Sequence, residues 1–295
     1  MTIKAAQVSE LRNRTGAGMM ECKKALVEAN GDIEAAIEAM RKAGAAKADK
    51  KAGRIAAEGA VIIVLSSDEK SAIIAEFNCE TDFVGRDENF LKFANHAAEQ
   101  ALAAKITDID ALGQQPLQAG SDLTIEVARQ ELVAKIGENI QIRRMKLITS
   151  DYPLASYRHG NKIGVLVKLD SNNVDLGKDI AMHIAASRPE AVSAKDISAE
   201  LIAKEREIFV AQAADSGKPA DIIAKMVEGR IAKFLNEISL EGQPFVKDPS
   251  ISVRDLLNKA KTNVLAFERF EVGEGIEKRE DNFAEEVMAQ VQGAQ

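Results

Sequence analysis

The chain of 295 residues has no tryptophan, two tyrosines, two cysteines and three histidines. Aromatic residues make up only 4% of it, which is poor material for stacking nucleic-acid bases. The net charge of −7 argues the same way, because a protein that grips a phosphate backbone is usually basic. Cys22 and Cys79 are too far apart for a CxxC pair, and no HExxH zinc pattern occurs. The longest apolar run is the six residues Ala60–Leu65, whereas a membrane-spanning helix needs about 20. The first residues lack the apolar segment of a secretory leader. A cytoplasmic protein with reduced thiols and no membrane contact is therefore expected.

Phosphate-binding and catalytic signatures are missing as well. Around Gly217-Lys218, Gln212 stands where a P-loop needs glycine, and Pro219 stands where a Ser or Thr would hold magnesium. Ser216-Gly217-Lys218-Pro219 reads as a turn. The pairs Gly16/Gly18 and Gly273/Gly275 lack the third glycine of a dinucleotide fingerprint, and there is no GxSxG elbow. No cofactor, metal or catalytic residue is expected.

What is present is an ordinary globular composition, 46% hydrophobic and 29% charged, long enough for about two domains of roughly 100–200 residues. The first 45 residues read as three short helices. Val8 and Leu11 mark the first, and Gly16 suits the left-handed position that ends it. Met19, Cys22, Leu26 and Ala29 recur on one face of the second, which predicts an inward Met19. Asp32 caps the third, whose inner face is Ile33, Ala36, Ile37 and Met40. Lys42–Lys51 is either a basic contact patch or a solvated helical linker.

At Glu58 the apolar period changes from 3.6 to 2. Residues 59–65 and 71–77 form a strand pair around a turn at Ser66–Lys70, with helices at Asn89–Ala104 and Leu123–Ile136 and a strand at Glu138–Ile148. The pattern then repeats. A strand at Lys162–Leu169 precedes a helix at Leu176–Ser187. The helix pieces Phe93–Ala98 and Ile180–Ala185 align at an offset of 87, and the preceding strands at 90. Asn263–Ala266 is similar to Asn139–Ile142. Two related α+β units follow, each a small sheet with helices on one face. The three-residue difference places extra material within Cys79–Arg86 of the first copy. A segment that the second copy lacks is not needed to build the unit, which makes it a candidate functional loop. His96 and His183 occupy equivalent helix positions and read as structural.

Pro189–Phe234 interrupts the second unit with two helical stripes, an antiparallel hairpin that either projects as an arm or lies flat on the core. Residues 268–295 carry eight acidic and three basic side chains, and Phe283, Val287 and Met288 suggest a short amphipathic helix.

Three stretches, Leu11–Leu26, Asn78–Val84 and Phe270–Ile276, resemble one family, bacterial translation elongation factor Ts. Leu11–Leu26 (LRNRTGAGMMECKKAL) is similar to its opening, Asn78–Val84 (NCETDFV) to its central motif, and Phe270–Ile276 (FEVGEGI) to its C-terminal signature. The similarity runs in order along the whole chain and includes Gly242–Val246. It implies an α+β protein with a UBA-like three-helix domain and linker at 1–54 and a core N subdomain at 55–141. A core C subdomain follows at 142–188 and 235–267, with an inserted coiled-coil hairpin at 189–234 and a C-terminal helical module at 268–295.

The resemblance also implies guanine nucleotide exchange on elongation factor Tu. Its partner-binding loop would be Thr81, Asp82, Phe83 and Val84, which dislodges Mg²⁺ in the GTPase. Met19, Met20 and His159 would be further contacts, with Met20 the better candidate of the methionine pair. From the residues alone, Phe83 is either an exposed contact or a core residue, and Asp82 either supports the loop or touches the partner. The rival readings are a scaffold of the same fold that does not open the GTPase, an RNA-binding factor using the mildly basic first module, and a small-molecule enzyme. A one-to-one complex and a two-to-two assembly are both open.

Overall fold

The structure, a computed structural model, describes residues 3–214 and 219–277. Three helices open it: α1 (Ala5–Thr15), α2 (Met19–Glu28) and α3 (Ile33–Lys51). Gly16, at φ 66°, ends α1 by donating its N–H to Arg12 O at 2.7 Å. Asp32 caps α3 by accepting from Ala35 N at 3.0 Å. Leu11, Cys22, Leu26 and Ala36 form the bundle's small core.

Met19 is corrected outward. The core covers α2 from Cys22 to Leu26, so the first residue of the stripe overshoots it and is 59% exposed. The Lys42–Lys51 stretch is helical and mostly solvent-facing, as the linker reading has it, but one side of it is covered. It continues α3 and docks on a core helix, α6 (Ile125–Ile136), with Gly44 and Ala48 buried. Arg41 pairs with Glu131 at 3.3 Å, and the Lys51 amine donates to Gly137 O.

The first sheet has the order β1 (Glu58–Leu65), β2 (Ser71–Cys79), β3 (Gln141–Thr149), all antiparallel. Between β2 and β3 the chain forms α4 (Glu88–Ala104), α5 (Ile109–Gly113) and α6, which cover one face. Ile62, Ile73, Phe77, Phe90, Phe93 and Val133 meet there. The second sheet has the order β4 (Ala155–His159), β5 (Ile163–Leu169), β8 (Val264–Glu271), with α7 (Val174–Ser187) on its face. Each unit is thus a hairpin, a covering helix and a late third strand beside the second.

The free faces of the two sheets pack together through Val61, Ala72, Ile74, Leu154, Leu166 and Phe270. Both faces of β2 are therefore buried, which is why its sequence shows little polar alternation. Gly164 makes the close approach possible, since a Cβ there would overlap the Val61 side chain.

Three boundaries shift. Strand β3 belongs to the first sheet, because it pairs with β2 from Ser71↔Thr149 to Asn78↔Gln141, so the first unit does not end at 141. Strand β8 runs through 267/268 to Glu271, and the second inserted helix continues past 234. The insertion is α8 (Ala199–Ala214) and α9 (Ala220–Ile238), which pack on each other. Their apolar residues, including Phe209, Val227 and Ile231, form a cluster separate from the sheet cores. The turn at 216–218 and the amphipathic residues Phe283, Val287 and Met288 lie outside the described residues.

After α9, a two-stranded ribbon, β6 (Pro244–Phe245) and β7 (Asp248–Ser252), leads into α10 (Val253–Ala260). His183 of α7 is fully buried beneath it. Val246 N donates to His183 Nδ1 at 3.1 Å, so the ring proton sits on Nε2 and points at Gln243 Oε1, 2.9 Å away. Gln243 in turn donates to Glu237 O at 2.8 Å, tying α7 to the end of α9. His96, by contrast, is half-exposed beside the Gln118 amide.

Burial lowers the His183 pKa from its ordinary 6.5. The unfolded chain then binds the extra proton first, so stability is complete above pH 6.5 and falls as pH drops through the folded value. Urea midpoints at pH 7.5 and 5.5 should show a loss in the acidic sample, and His183→Gln should remove that part of the loss. Equal pH sensitivity in the variant would refute the assignment.

Candidate partner-binding site

The extra segment after β2 is a compact turn. Thr81 O accepts from Gly85 N at 3.2 Å, Phe83 O from Arg86 N at 3.2 Å and Val84 O from Asp87 N at 2.9 Å. Asp87 then caps α4 through Asn89 N and Phe90 N, at 2.8 and 3.2 Å. In the second unit β5 reaches α7 by a short link whose Asp170 accepts from Thr262 Oγ1 and Asn263 N, both at 2.8 Å. The difference between the copies falls where the offsets place it.

The four motif residues face different ways. Val84 is buried in the core of the first unit. Thr81 is half-buried and bonded on several sides. Asp82 pairs with Arg86 at 3.0 Å, one turn on, at the rim of the loop. Phe83 is 83% exposed, more than any other large apolar side chain among the described residues. Of the two positions open to it, the structure takes the exposed one.

The backbone beneath Phe83 is fixed from three directions. Glu138, ahead of β3, accepts from Glu80 N, Thr81 N and the Thr81 hydroxyl at 3.0, 2.9 and 2.7 Å. Gly85 lies on Gly59 of β1, so closely that a Cβ on Gly85 would sit 3.0 Å from Gly59 O. Gly59 itself has φ 141°, and a Cβ there would strike Phe77 O. From the strand side, the Cys79 thiol donates to Thr81 O at 3.1 Å. Burial pushes that thiol up to about 12, so it stays protonated and serves as a hydrogen-bond donor.

His159 is exposed at the end of β4, with Tyr157 Oη 3.3 Å from Nδ1. Its turn is anchored on the strand that also underlies Phe83. Asn161 O accepts from Val61 N at 2.8 Å, and Lys162 pairs with Glu58. The two elements thus rest on β1 two residues apart, at Gly59 and Val61. Met19 and Met20, 59% and 74% exposed, stand on the helical module, which docks on the core mainly along the α3–α6 contact. Among the described residues no cluster of His, Cys, Asp or Glu could hold a metal ion, and no helix is long and apolar enough to cross a membrane.

Sequence reasoning missed Glu138, Gly59 and Gly85. Glu138 and Thr81 are 57 positions apart, so nothing local links them. Gly59 carried a weak signal, a glycine heading an apolar strand.

The comparisons with known proteins agree with one another. The sequence pattern of the family described as elongation factor Ts matches residues 80–274. The elongation factor Ts of Thioalkalivibrio sulfidiphilus is 60% identical over 296 aligned residues covering 100% of both chains. That of Legionella pneumophila (strain Philadelphia 1) is 59% identical over 98% of this chain and 99% of its own. That of Methylococcus capsulatus is 58% identical over the full length of both. With full-length identity at this level and the central motif built into a braced, exposed loop, the chain belongs to the elongation factor Ts family of translation elongation factors.

Proposed function

We propose that this protein is a guanine nucleotide exchange factor for the GTPase elongation factor Tu, acting in the cytoplasm through protein contacts. Such a factor needs no nucleophile. It must bind the nucleotide-free GTPase more tightly than the GDP-bound form, and by linkage GDP weakens its binding by the same ratio. Phe83 is the element that enters the GTPase near its magnesium site and disturbs the groups that hold Mg²⁺ and the phosphates. Thr81 and Val84 hold the loop from within, and Asp82 borders it.

The observation that carries this reading is an aromatic ring left in water on a loop whose backbone is hydrogen-bonded on both sides of it, at Glu80 and Thr81 and from Val84 to Asp87. A ring that merely lacked an interior place would not need such a mount. One ring is not sufficient, however. A thousandfold faster release corresponds to about 4 kcal/mol, and burying a Phe supplies roughly 1.5–3 kcal/mol. His159, Met19 and Met20 are proposed to share the contact, His159 in fixed register with Phe83 through β1.

The test is release of a fluorescent GDP analogue from elongation factor Tu with substoichiometric amounts of this protein. Strong acceleration with turnover is expected. Binding without acceleration would favour a scaffold of the same fold, and neither binding nor acceleration would overturn the proposal.

A further inference from the structure

Phe83 is 83% exposed, so its direction is set mainly by the backbone from residue 80 to residue 85. One side chain from outside the loop bonds that backbone repeatedly. Glu138 Oε2 accepts two consecutive amides, those of Glu80 and Thr81, at 3.0 and 2.9 Å. Its Oε1 accepts the Thr81 hydroxyl at 2.7 Å, and that hydroxyl oxygen accepts Val84 N at 3.3 Å. The carboxylate thus governs the residues on both sides of Phe83, directly before it and through one hydroxyl after it.

The return contact comes from the same place. Glu80 Oε1 accepts the amide of Asn139, the next residue after Glu138, at 2.6 Å. The Asn139 side chain donates to Ala52 O and Arg54 O at 3.2 and 2.8 Å, and Lys51 reaches Gly137 O. Residues 137–139 are therefore seated between the end of α3 and the loop, bonded to both. Hydrogen bonds from neutral donors to a carboxylate are also stronger than neutral pairs.

We propose that Glu138 is a positioning residue for exchange: its carboxylate fixes the direction of Phe83 by holding the Glu80 and Thr81 amides and the Thr81 hydroxyl. The inference rests on the reading of Phe83 given above. A purely structural Glu138 would lower stability without interacting with Phe83 in function.

The experiment measures maximal GDP release from elongation factor Tu at saturating factor for Glu138→Ala, Glu138→Gln and Thr81→Val, each alone and combined with Phe83→Ala. Glu138→Ala is expected to slow release about tenfold, the scale set by lost hydrogen bonds to a charged group. Glu138→Gln keeps one acceptor for the two amides and should recover part of the rate. Thr81→Val removes only the hydroxyl link and keeps the test open should Glu138→Ala fold poorly. In the Phe83→Ala background all three should have little further effect. Equal slowing with and without Phe83, or full activity of both Glu138→Ala and Thr81→Val, would overturn the inference. If Phe83→Ala alone leaves release unchanged, the parent reading fails as well, which separates the two.

Discussion

Phe83→Ala is expected to slow stimulated GDP release by about tenfold to a hundredfold, the rate equivalent of burying one Phe ring. It should leave thermal unfolding unchanged. The ring is 83% exposed, so its removal takes almost nothing from the fold. The loop keeps every bond that shapes it, since none of them uses the Phe83 side chain. The loss therefore falls on the complex, where truncating a desolvated aromatic is among the costlier interface changes. Val84→Ala is the matching control. That side chain is buried, so its truncation should lower the unfolding midpoint through lost packing. Stopped-flow release and thermal unfolding on the same samples separate the two. Full exchange activity in Phe83→Ala would refute the insertion of Phe83 into the GTPase.

How this loop could be found in the sequence, and how its mount could not, has a physical basis. The loop announces itself by comparison of two copies, because an insertion changes spacing and spacing is local. The mount depends on pairings across long separations. Glu138 meets Thr81 only because β3 returns to lie beside β2, and that return is also what misplaced the boundary at 141. Periodicity identified the strands but not which sheet each joins, since alternation reports which face is buried and not which strand lies alongside. Met19 failed for a different reason. A helical stripe gives direction around an axis but not how far along it the neighbouring helices extend, and the bundle core ends before Met19. Glu76 did carry a signal, a carboxylate in the middle of an otherwise apolar strand.

That carboxylate leads to the largest stability effect expected. Glu76 is fully buried on β2, where it accepts from Arg143 at 2.9 and 3.2 Å and from Arg144 Nε at 2.6 Å. It also accepts from Asn78 Nδ2 at 3.1 Å and from the amide of Gly273 at 2.7 Å. The last bond crosses from the first sheet to the turn that follows β8 in the second. Arg143 continues across to Glu274 O at 2.6 Å, and Arg144 to Glu271 O at 3.2 Å and to the Glu274 carboxylate at 3.1 Å. The Arg144 guanidinium also lies 4.4 Å above the Phe270 ring. The signature Phe270–Ile276 is thus the far half of a clamp centred on Glu76. Gly273 is required there because its φ is 75° and a Cβ would strike Ala57 O.

Glu76→Ala leaves two guanidinium groups and a backbone amide without their common acceptor. Breaking a buried pair in this way costs about 3–5 kcal/mol. The lower end applies here, because both arginines are partly exposed and Glu274 still faces Arg144. Urea unfolding should show a loss near about 3 kcal/mol. The clamp joins the two sheets, so the transition should also broaden or divide as the units begin to unfold separately, with a smaller m-value for the first step. Gly273→Ala should reproduce this broadening from the opposite side, and the double variant should lose less than the sum of the two. A loss below about 1 kcal/mol, the worth of an ordinary neutral hydrogen bond, would sink the clamp as the joint between the units. Because Phe83 and His159 rest on β1 and the turn packed against it, loosening this joint should also weaken exchange more than a stability loss alone would, at temperatures where the variant is still folded.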